Sequence, residues 1–234
     1  MDNKKILAVD CRINTKSCET LEKSGYKLLK IPLINSFDEP VAAHPDMCVL
    51  KLGKQLFVRD SVKELFTYYS EIEVTGETSG LEKLKYPYDV SLNCAVVGKR
   101  LICNEKHTDK KVLAFARELK YEIINVNQGY AKCSTCVVGD NGIITEDESI
   151  EQACRKSGID ELKIAKGHVR LNGYNYGFIG GCSGLIEDNL LAFNGNVFLH
   201  PDGEAIHAFC RKHGTEVLNL CDEPLYDVGS IVRL

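Results

Sequence analysis

One short unit recurs along this chain, and its spacing restricts the fold more than any other feature. Residues 129–147 predict a tight hairpin, in which a Gly-Asp-Asn-Gly turn joins two strands rich in β-branched residues. Similar hairpins begin near residues 44, 92 and 180, and a half-copy ends the chain. Aligning the copies places four small residues in one column: Cys48, Cys94, Cys136 and Ser183. Their spacing, roughly 42 to 47 residues, is typical of solenoids and propellers.

A helix and a further strand follow each hairpin. Five stretches with apolar residues at helical spacing predict helices with one buried side. These are residues 15–23, 61–69, 108–120, 149–157 and 203–213. Capping residues are predicted at Ser61, Thr108 and Asp202. Residues 6–9 lack a hairpin partner and the final half-copy supplies one strand, so we expect the two ends to pair and close a ring.

Composition narrows the class of protein. The chain has 234 residues, of which 44% are hydrophobic and 26% charged, and no Pro/Gly/Ser-rich linker interrupts the repeat, so we expect one α/β domain over residues 1–234. A net charge of -4 without a Lys/Arg run argues against nucleic-acid binding. No apolar run is long enough for a membrane span. Eleven cysteines, an odd number in apolar segments, predict buried thiols in a reducing cytoplasm.

The five units resemble the pentein fold, a five-bladed α/β propeller of ββαβ repeats. That fold is shared by guanidine-group-modifying enzymes (arginine deiminase, dimethylarginine hydrolase, amidinotransferases) and by a non-enzymatic translation initiation factor. His44-Pro45-Asp46 resembles the enzymes' His-x-Asp signature, and residues 129–134 (GYAKCS) resemble their glycine-led loop before the nucleophilic cysteine. Residues 178–181 (FIGG) are similar to their Glu-Gly-Gly stretch, without its acid. Near the C-terminus, where the enzymes place their cysteine, this chain reads Asp227-Val228-Gly229-Ser230.

The resemblance implies cysteine chemistry on a guanidine group. Attack on a guanidinium carbon needs a thiolate, a histidine to move protons and carboxylates to hold the cation. Two residues apart in a strand, His44 and Asp46 would point to the same face, towards the propeller axis. The alternative is that this His-Pro-Asp stretch only starts a strand. Cys133 follows a glycine loop and lies outside the cysteine column, so it is the predicted nucleophile, with His44 as acid/base.

Cys133 and Cys136 also form a Cys-x-x-Cys pair. Redox and zinc roles are the alternatives for such a pair, but it lies in a predicted strand and lacks a second ligand pair. We therefore expect no metal and no cofactor. Cys136 shares the column of Cys48 and Cys94, which favours a core thiol.

Four further residues are candidates for substrate binding. Asp89 and Asp227 occur in matching Tyr-Asp-Val contexts, as carboxylates that hold a cation or as turn residues repeated by ancestry. Asn93 would bind either a ligand or a buried backbone group. Cys182 follows two glycines and is the next candidate after Cys133.

Two functions of different class follow from these residues. The first is a hydrolase or deiminase-like enzyme acting on an arginine-like cationic small molecule through Cys133. The second is a non-catalytic pentein-fold protein that binds a protein partner or a small ligand in the axial depression. Three long loops, residues 35–43, 76–88 and 167–178, precede hairpins and are predicted to border that depression.

Overall fold

The computed structural model describes residues 5–67, 72–75 and 85–234. Most of the fold consists of short strands. The strands are β1 (Ile6–Asp10), β2 (Lys27–Ile31), β3 (Val49–Leu52), β4 (Gln55–Arg59), β5 (Ile72–Thr75), β6 (Ala95–Val97), β7 (Arg100–Cys103), β8 (Glu122–Asn125), β9 (Cys136–Val138), β10 (Gly142–Thr145), β11 (Asp160–Lys163), β12 (Ser183–Glu187), β13 (Leu190–Phe193), β14 (Glu216–Asn219) and β15 (Val232–Arg233).

Within those residues the strands form five sheets of three. Sheet 1 has the order β15-β1-β2, sheet 2 β3-β4-β5, sheet 3 β6-β7-β8, sheet 4 β9-β10-β11 and sheet 5 β12-β13-β14. In every sheet the central strand pairs antiparallel with its hairpin partner or, in sheet 1, with β15, and parallel with the strand that follows it. The first and last strands pair as predicted, with Leu7 opposite Arg233 and Ala8 opposite Val232.

The α-helices lie between the central strand and the parallel strand in sheets 1, 3, 4 and 5. They are α1 (Thr15–Lys23), α3 (Lys110–Glu118), α4 (Glu148–Lys156) and α5 (Gly203–Lys212), and a single-turn helix, α2 (Pro45–Cys48), precedes β3. Asn14, Asp109 and Asp147 cap α1, α3 and α4 through their side chains. The predicted cap at Thr108 is therefore one residue early. Among the described residues, no helix combines the length and the apolar character that a membrane crossing requires.

Two local predictions are wrong. Residues 61–69 were predicted as an α-helix, but the structure has a 3-10 helix at Asp60–Phe66, and residues 68 and 69 lie outside the described residues. The segment has no side-chain cap, and its β-branched and aromatic residues are weak helix formers. The sequence predicts His44 and Asp46 in a strand, but His44 occupies the N-cap position of α2 without a side-chain cap hydrogen bond, and Asp46 lies in the first turn. Proline at the first helical position favours that turn.

The apolar core of the described residues consists of five clusters, each shared by two sheets. Both sheets of a pair contribute buried residues to their cluster. Examples are Ala8 and Val58 (sheets 1 and 2), Leu52 and Leu101 (sheets 2 and 3), Ala95 and Ile143 (sheets 3 and 4), Cys136 and Phe193 (sheets 4 and 5), and Ile186 and Leu7 (sheets 5 and 1). Each sheet thus packs against the sheets before and after it in this order. The predicted cysteine column lies in this core, because Cys48, Cys94 and Cys136 are all buried.

Candidate functional site

A cavity of about 270 Å³ collects the chemistry-bearing residues of the sequence analysis. We call it the first cavity. Its lining is Val41, His44, Met47, Tyr130, Cys133, Leu171, Tyr174, Asn175, Tyr176, Phe178 and Asp227. Two of the three predicted loops border it, residues 35–43 and 167–178, whereas residues 76–84 of the third lie outside the described residues. The walls are aromatic and apolar, and the polar groups His44, Cys133 and Asp227 are buried.

His44 and Cys133 line this cavity, and Asp46 lies next to them. Their potential donor atoms (a ring nitrogen, a carboxylate oxygen and the thiol sulfur) all lie within 4.8 Å of one another. The Cys133 Sγ donates to Asp46 Oδ2 at 3.1 Å. His44 and Asp46 come from the start of α2, and Cys133 comes from the loop before β9. The three residues that the sequence predicted as catalytic are therefore neighbours in space.

Asn93 holds the loop of Cys133 against α2. Its Nδ2 donates to the Cys133 Sγ at 3.1 Å and to the Asp46 carbonyl at 3.4 Å. Its Oδ1 accepts from the backbone N–H groups of Lys132 at 2.7 Å and Cys133 at 3.2 Å. Of the two roles that the sequence left open, Asn93 thus bonds a buried backbone segment, and it also touches the sulfur.

His44 is buried and its ring is unengaged. Neither ring nitrogen has a hydrogen-bond partner among the described residues, and Nδ1 lies 3.9 Å from Asp227 Oδ1. Buried polar atoms in folded proteins nearly always have partners, so an imidazole without one is a group free to bond a ligand. His44 therefore presents two ring nitrogens without described partners to the first cavity.

Asp227 is fixed by the backbone. Its Oδ2 accepts from the Phe178 N–H and its Oδ1 from the Gly229 N–H, both at 2.9 Å. Burial raises the pKa of this carboxyl group, and the nearby His44 opposes that shift. A Cβ at Gly181 would lie 2.1 Å from Asp227 Oδ1, so the glycine is required for the close approach of the two segments.

The Cys133 thiol is held in its protonated form. Burial raises its pKa well above the usual range, and the charges of Asp46 and Asp227 raise it further. Asn93 works in the opposite direction through its hydrogen bond to the sulfur. The same two carboxylates that disfavour a thiolate would attract a cation. A cation in the first cavity would therefore lower the pKa of Cys133.

Ser230 and Lys132 extend the cluster, and the sequence analysis did not assign either to it. The Ser230 Oγ lies 2.6 Å from Asp46 Oδ2 and 2.8 Å from the Gly180 carbonyl. The Lys132 Nζ donates to the Ser230 Oγ at 2.9 Å. A polar chain thus runs from Lys132 through Ser230 and Asp46 to Cys133. The resemblance places the enzymes' cysteine within residues 227–230, and this was the one signal that could have identified Ser230.

Glu146 is a further residue that the sequence analysis missed. Its Oε1 is buried without a hydrogen-bond partner among the described residues, and Oε2 accepts from the Ile179 N–H at 3.5 Å. Burial raises its pKa to about 7, and the charge of Asp227 adds to the shift. Residue 179 is where the related Glu-Gly-Gly stretch has its acid. A carboxylate therefore does lie beside that position, but it comes from the end of β10.

Three of the four predicted substrate-site residues, Asp89, Asn93 and Cys182, lie outside the lining of the first cavity. Asp89 accepts from the Tyr130 hydroxyl at 2.7 Å and so stands behind a cavity wall. Cys182 is fully buried in the cluster between sheets 4 and 5, and its Sγ donates to the Ile179 carbonyl at 3.2 Å. Burial raises the pKa of Cys182 well above the usual range.

The trio of His44, Asp46 and Cys133 is also the one group of potential metal ligands close enough to share an ion within the described ranges. Nitrogen, oxygen and sulfur donors in that number match a zinc site with an open position. These three residues are therefore the ones that would bind a metal ion here.

Comparisons with known proteins agree with the fold. The profile of the family of unknown function DUF6873 matches residues 8–232, and a search of curated proteins gives no match. SxtG, an amidinotransferase from Microseira wollei in the saxitoxin biosynthetic pathway, is a structural match at 12% identity, covering 94% of this chain and 89% of that chain with a TM-score of 0.55. A DDAH from Pseudomonas aeruginosa, solved as a cysteine-to-serine mutant complexed with citrulline, matches at 9% identity, covering 94% and 92% with a TM-score of 0.53.

At such low identity these matches show the fold alone. Both are pentein-fold proteins, and their alignments span almost the whole of this chain. The family profile spans nearly all of it too. The chain therefore belongs to the family of unknown function DUF6873 and has the mixed α/β fold of the penteins.

Proposed function

We propose that this chain is a cysteine-dependent enzyme that acts on the guanidine or amidine group of an arginine-like small molecule. One observation carries the proposal. Cys133, His44 and Asp46 lie within 4.8 Å of one another, next to a cavity that also contains the Asp227 carboxylate. A nucleophile, a proton-transfer group and two acids are what the chemistry of a cationic guanidinium requires.

The cavity suits a cation with an apolar stem. Asp227 and Asp46 supply negative charge, and charge-assisted hydrogen bonds from a guanidinium to carboxylates are among the strongest in proteins. Tyr130, Tyr174 and Tyr176 line the walls, where aromatic faces attract cations and pack against methylene groups. Binding would also offset the repulsion between these two buried acids.

The reaction depends on lowering the pKa of the Cys133 thiol. A bound cation offsets the charges of Asp46 and Asp227, so the thiol loses its proton to His44 and Sγ attacks the guanidinium carbon. His44 then gives this proton to the departing amine as the C–N bond breaks, which leaves a thiouronium on Cys133. Water attacks that carbon with His44 as base, the C–S bond breaks, and a ureido product leaves. An amine acceptor in place of water would give amidino transfer.

We also infer that residues 1–234 form one domain, in which the five sheets are blades of a closed five-bladed propeller. The five shared core clusters and the pairing of β1 with β15 support this arrangement. The first cavity would then lie at one end of the axis. Solution scattering tests the inference, because a closed domain of this length should have a radius of gyration of about 17–18 Å. A clearly larger value would indicate an open array.

Alkylation with a matched pair of reagents tests the site. Chloroacetamidine is cationic and chloroacetamide is its neutral analogue, and mass spectrometry reports the rate at each cysteine. We expect Cys133 to prefer the cationic reagent by roughly tenfold or more, because each pKa unit of thiol acidification is worth about that factor in thiolate. Cys11 is the internal control, since it is half-buried beside the offsetting charges of Asp10 and Arg12.

A product assay tests the chemistry. The protein is incubated with arginine, agmatine and methylated arginines, and ureido product and released amine are measured. We expect turnover of at least one compound, its loss in Cys133→Ser and its retention in Cys11→Ser. No turnover, together with an equal reagent preference at Cys133 and Cys11, would overturn the enzyme. Calorimetric binding of the same compounds without turnover would favour the non-catalytic ligand-binding protein.

A further inference from the structure

A second cavity, of about 390 Å³, shares no lining residue with the first. Its walls come from the first hairpin strands of sheets 2 to 5 and from β15 of sheet 1, through Leu50, Val96, Val137, Leu185 and Val232. Asp46 borders this cavity although it does not line the first. The second cavity therefore lies where the five sheets converge.

Three cations face this cavity: Lys51, Lys132 and Arg233. The carboxylate in its lining is Asp46, and Asp46 already accepts hydrogen bonds from Ser230 and Cys133. The lining is therefore positive overall. Its remaining residues are mainly aliphatic, with Tyr121 as the aromatic member.

The charges of these cations are poorly compensated. Lys51 is half-buried, and its ammonium group has no hydrogen bond or ion pair to any described residue. The Lys132 ammonium donates to two uncharged oxygens, those of Ser230 and Gly180. Arg233 pairs with Asp188 at 2.7 Å, but 94% of the Asp188 side chain is exposed, and such surface pairs contribute little.

The cost of this arrangement is visible at Lys51. Burial lowers the pKa of its ammonium group, and the charge of Arg233 lowers it further. Two like charges at one half-buried cavity repel each other, whereas an anion between them would attract both. A bound anion would therefore stabilise the cations of the second cavity.

We propose that the second cavity binds a small organic oxyanion. Its carboxylate or phosphate group contacts Lys51, Lys132 and Arg233, and its apolar part packs against the aliphatic walls. The volume lies within the range of roughly 300–1,000 Å³ that is typical of small-molecule sites. The proposal is independent of any chemistry at Cys133.

Calorimetry at low salt tests the site with four probes: phenyl phosphate, benzoate, inorganic phosphate and the neutral benzamide. We expect phenyl phosphate or benzoate to bind and benzamide to show no binding. Inorganic phosphate should bind more weakly than phenyl phosphate because it cannot use the apolar walls. Tightest binding of phenyl phosphate indicates a phosphate monoester, and tightest binding of benzoate indicates a carboxylate.

Matched variants locate the binding. Lys51→Met should weaken binding of the anion by roughly tenfold, as expected for loss of a charge-assisted contact, whereas Lys51→Arg should retain the affinity. Lys54→Met removes the same charge from an exposed residue of the same hairpin that does not line the cavity. It should leave the affinity within twofold of wild type, allowing for long-range charge effects of about that size.

Thermal melting shows that these variants are folded. Lys51→Met should melt no lower than wild type without ligand, because Lys51 has no partner to lose, and phenyl phosphate should stabilise wild type but not this variant. Two outcomes overturn the proposal. One is that none of the three anions binds more tightly than benzamide. The other is that Lys54→Met weakens binding as much as Lys51→Met.

Discussion

The two cavities differ in both charge and construction. The first has short polar side chains, His44, Cys133 and Asp227, that are buried, and two backbone N–H groups fix the Asp227 carboxylate. The second has long cationic side chains, including Lys51 and Arg233, that are half-buried. Short anchored groups fix positions, as chemistry on one atom demands. Long flexible cations supply charge without a fixed geometry, which suits binding better than catalysis.

Close backbone approaches account for the rigidity of the first cavity. Gly229 has a φ of 66°, and a Cβ there would lie 2.2 Å from the His44 Cβ. The Asp46 N–H also donates to the Gly229 carbonyl at 3.0 Å. The segment that carries Ser230 is thereby pressed directly against the start of α2.

The largest expected effect tests this rigidity. Gly229→Ala adds a strained left-handed residue and a clash with His44, so we expect a loss of roughly 2–5 kcal/mol in the free energy of unfolding. Gly158→Ala is the control, because Gly158 has a φ of 71° but nothing within 4 Å of an added Cβ. It should lose about 1–2 kcal/mol from strain alone. Denaturant unfolding measures both, and equal losses would contradict the close approach.

The next effect concerns the acidity near the first cavity. Glu146 has a pKa of about 7, raised from 4.5 chiefly by burial. Its protonated form is therefore favoured in the folded state, and the stability this provides is full below about pH 4.5 and is lost as the pH rises through about 7. We expect wild type to lose roughly 3 kcal/mol relative to Glu146→Gln over that interval, at about 1.4 kcal/mol per pKa unit.

Denaturant unfolding at a series of pH values measures this difference. Glu148→Gln is the control, since Glu148 is exposed in the first turn of α4. Its stability should follow wild type across the same interval. A Glu146→Gln protein that runs parallel to wild type at every pH would show that Glu146 does not titrate near neutrality.

The smallest effect concerns Asp46, which binds the thiol of the first cavity and borders the second. Asp46→Asn keeps an oxygen for the hydrogen bonds but removes a negative charge. Burial is the largest cause of the raised pKa of Cys133, and this charge is the next largest. We expect alkylation of Cys133 by neutral chloroacetamide to become faster, by roughly tenfold for each pKa unit gained. The preference for chloroacetamidine should fall at the same time.

The exposed carboxylate of Asp60 supplies the control for this experiment. Asp60→Asn should leave both alkylation rates at Cys133 unchanged. A slower reaction of Asp46→Asn with both reagents would mean that Asp46 activates the thiol. The negative charge near the first cavity would then not disfavour the thiolate.

Local patterns predicted the repeating elements well. The apolar spacing in α1 matched its observed bounds, and the aligned hairpins gave the strands of sheets 2 to 5. The segment around His44 was mistaken for a strand because a proline is compatible with both a strand start and a first helical turn. That error did not separate His44 from Asp46, since both still reach Cys133.

Contacts between distant parts of the chain could not be read in this way. Ser230 and Asp46 are 184 residues apart, and Lys132 and Ser230 are 98 apart. Such pairs carry no periodic signal, and each side chain has an ordinary interpretation by itself. Cys182 and Cys133 both follow glycines in sequence, yet packing places Cys182 in the core and Cys133 at a cavity.

The carboxylate oxygen Oδ2 of Asp46 contacts two distant segments of the chain at once. It accepts from the Cys133 thiol at 3.1 Å and from the Ser230 hydroxyl at 2.6 Å, so the two groups lie no farther apart than the sum of these distances. Ser230 belongs to residues 227–230, the segment where the resemblance places the enzymes' cysteine. Two substitutions could therefore relocate a thiol from one segment to the other while the same acid served it throughout. The same carboxylate could thus serve a thiol on either segment without a change in its own position.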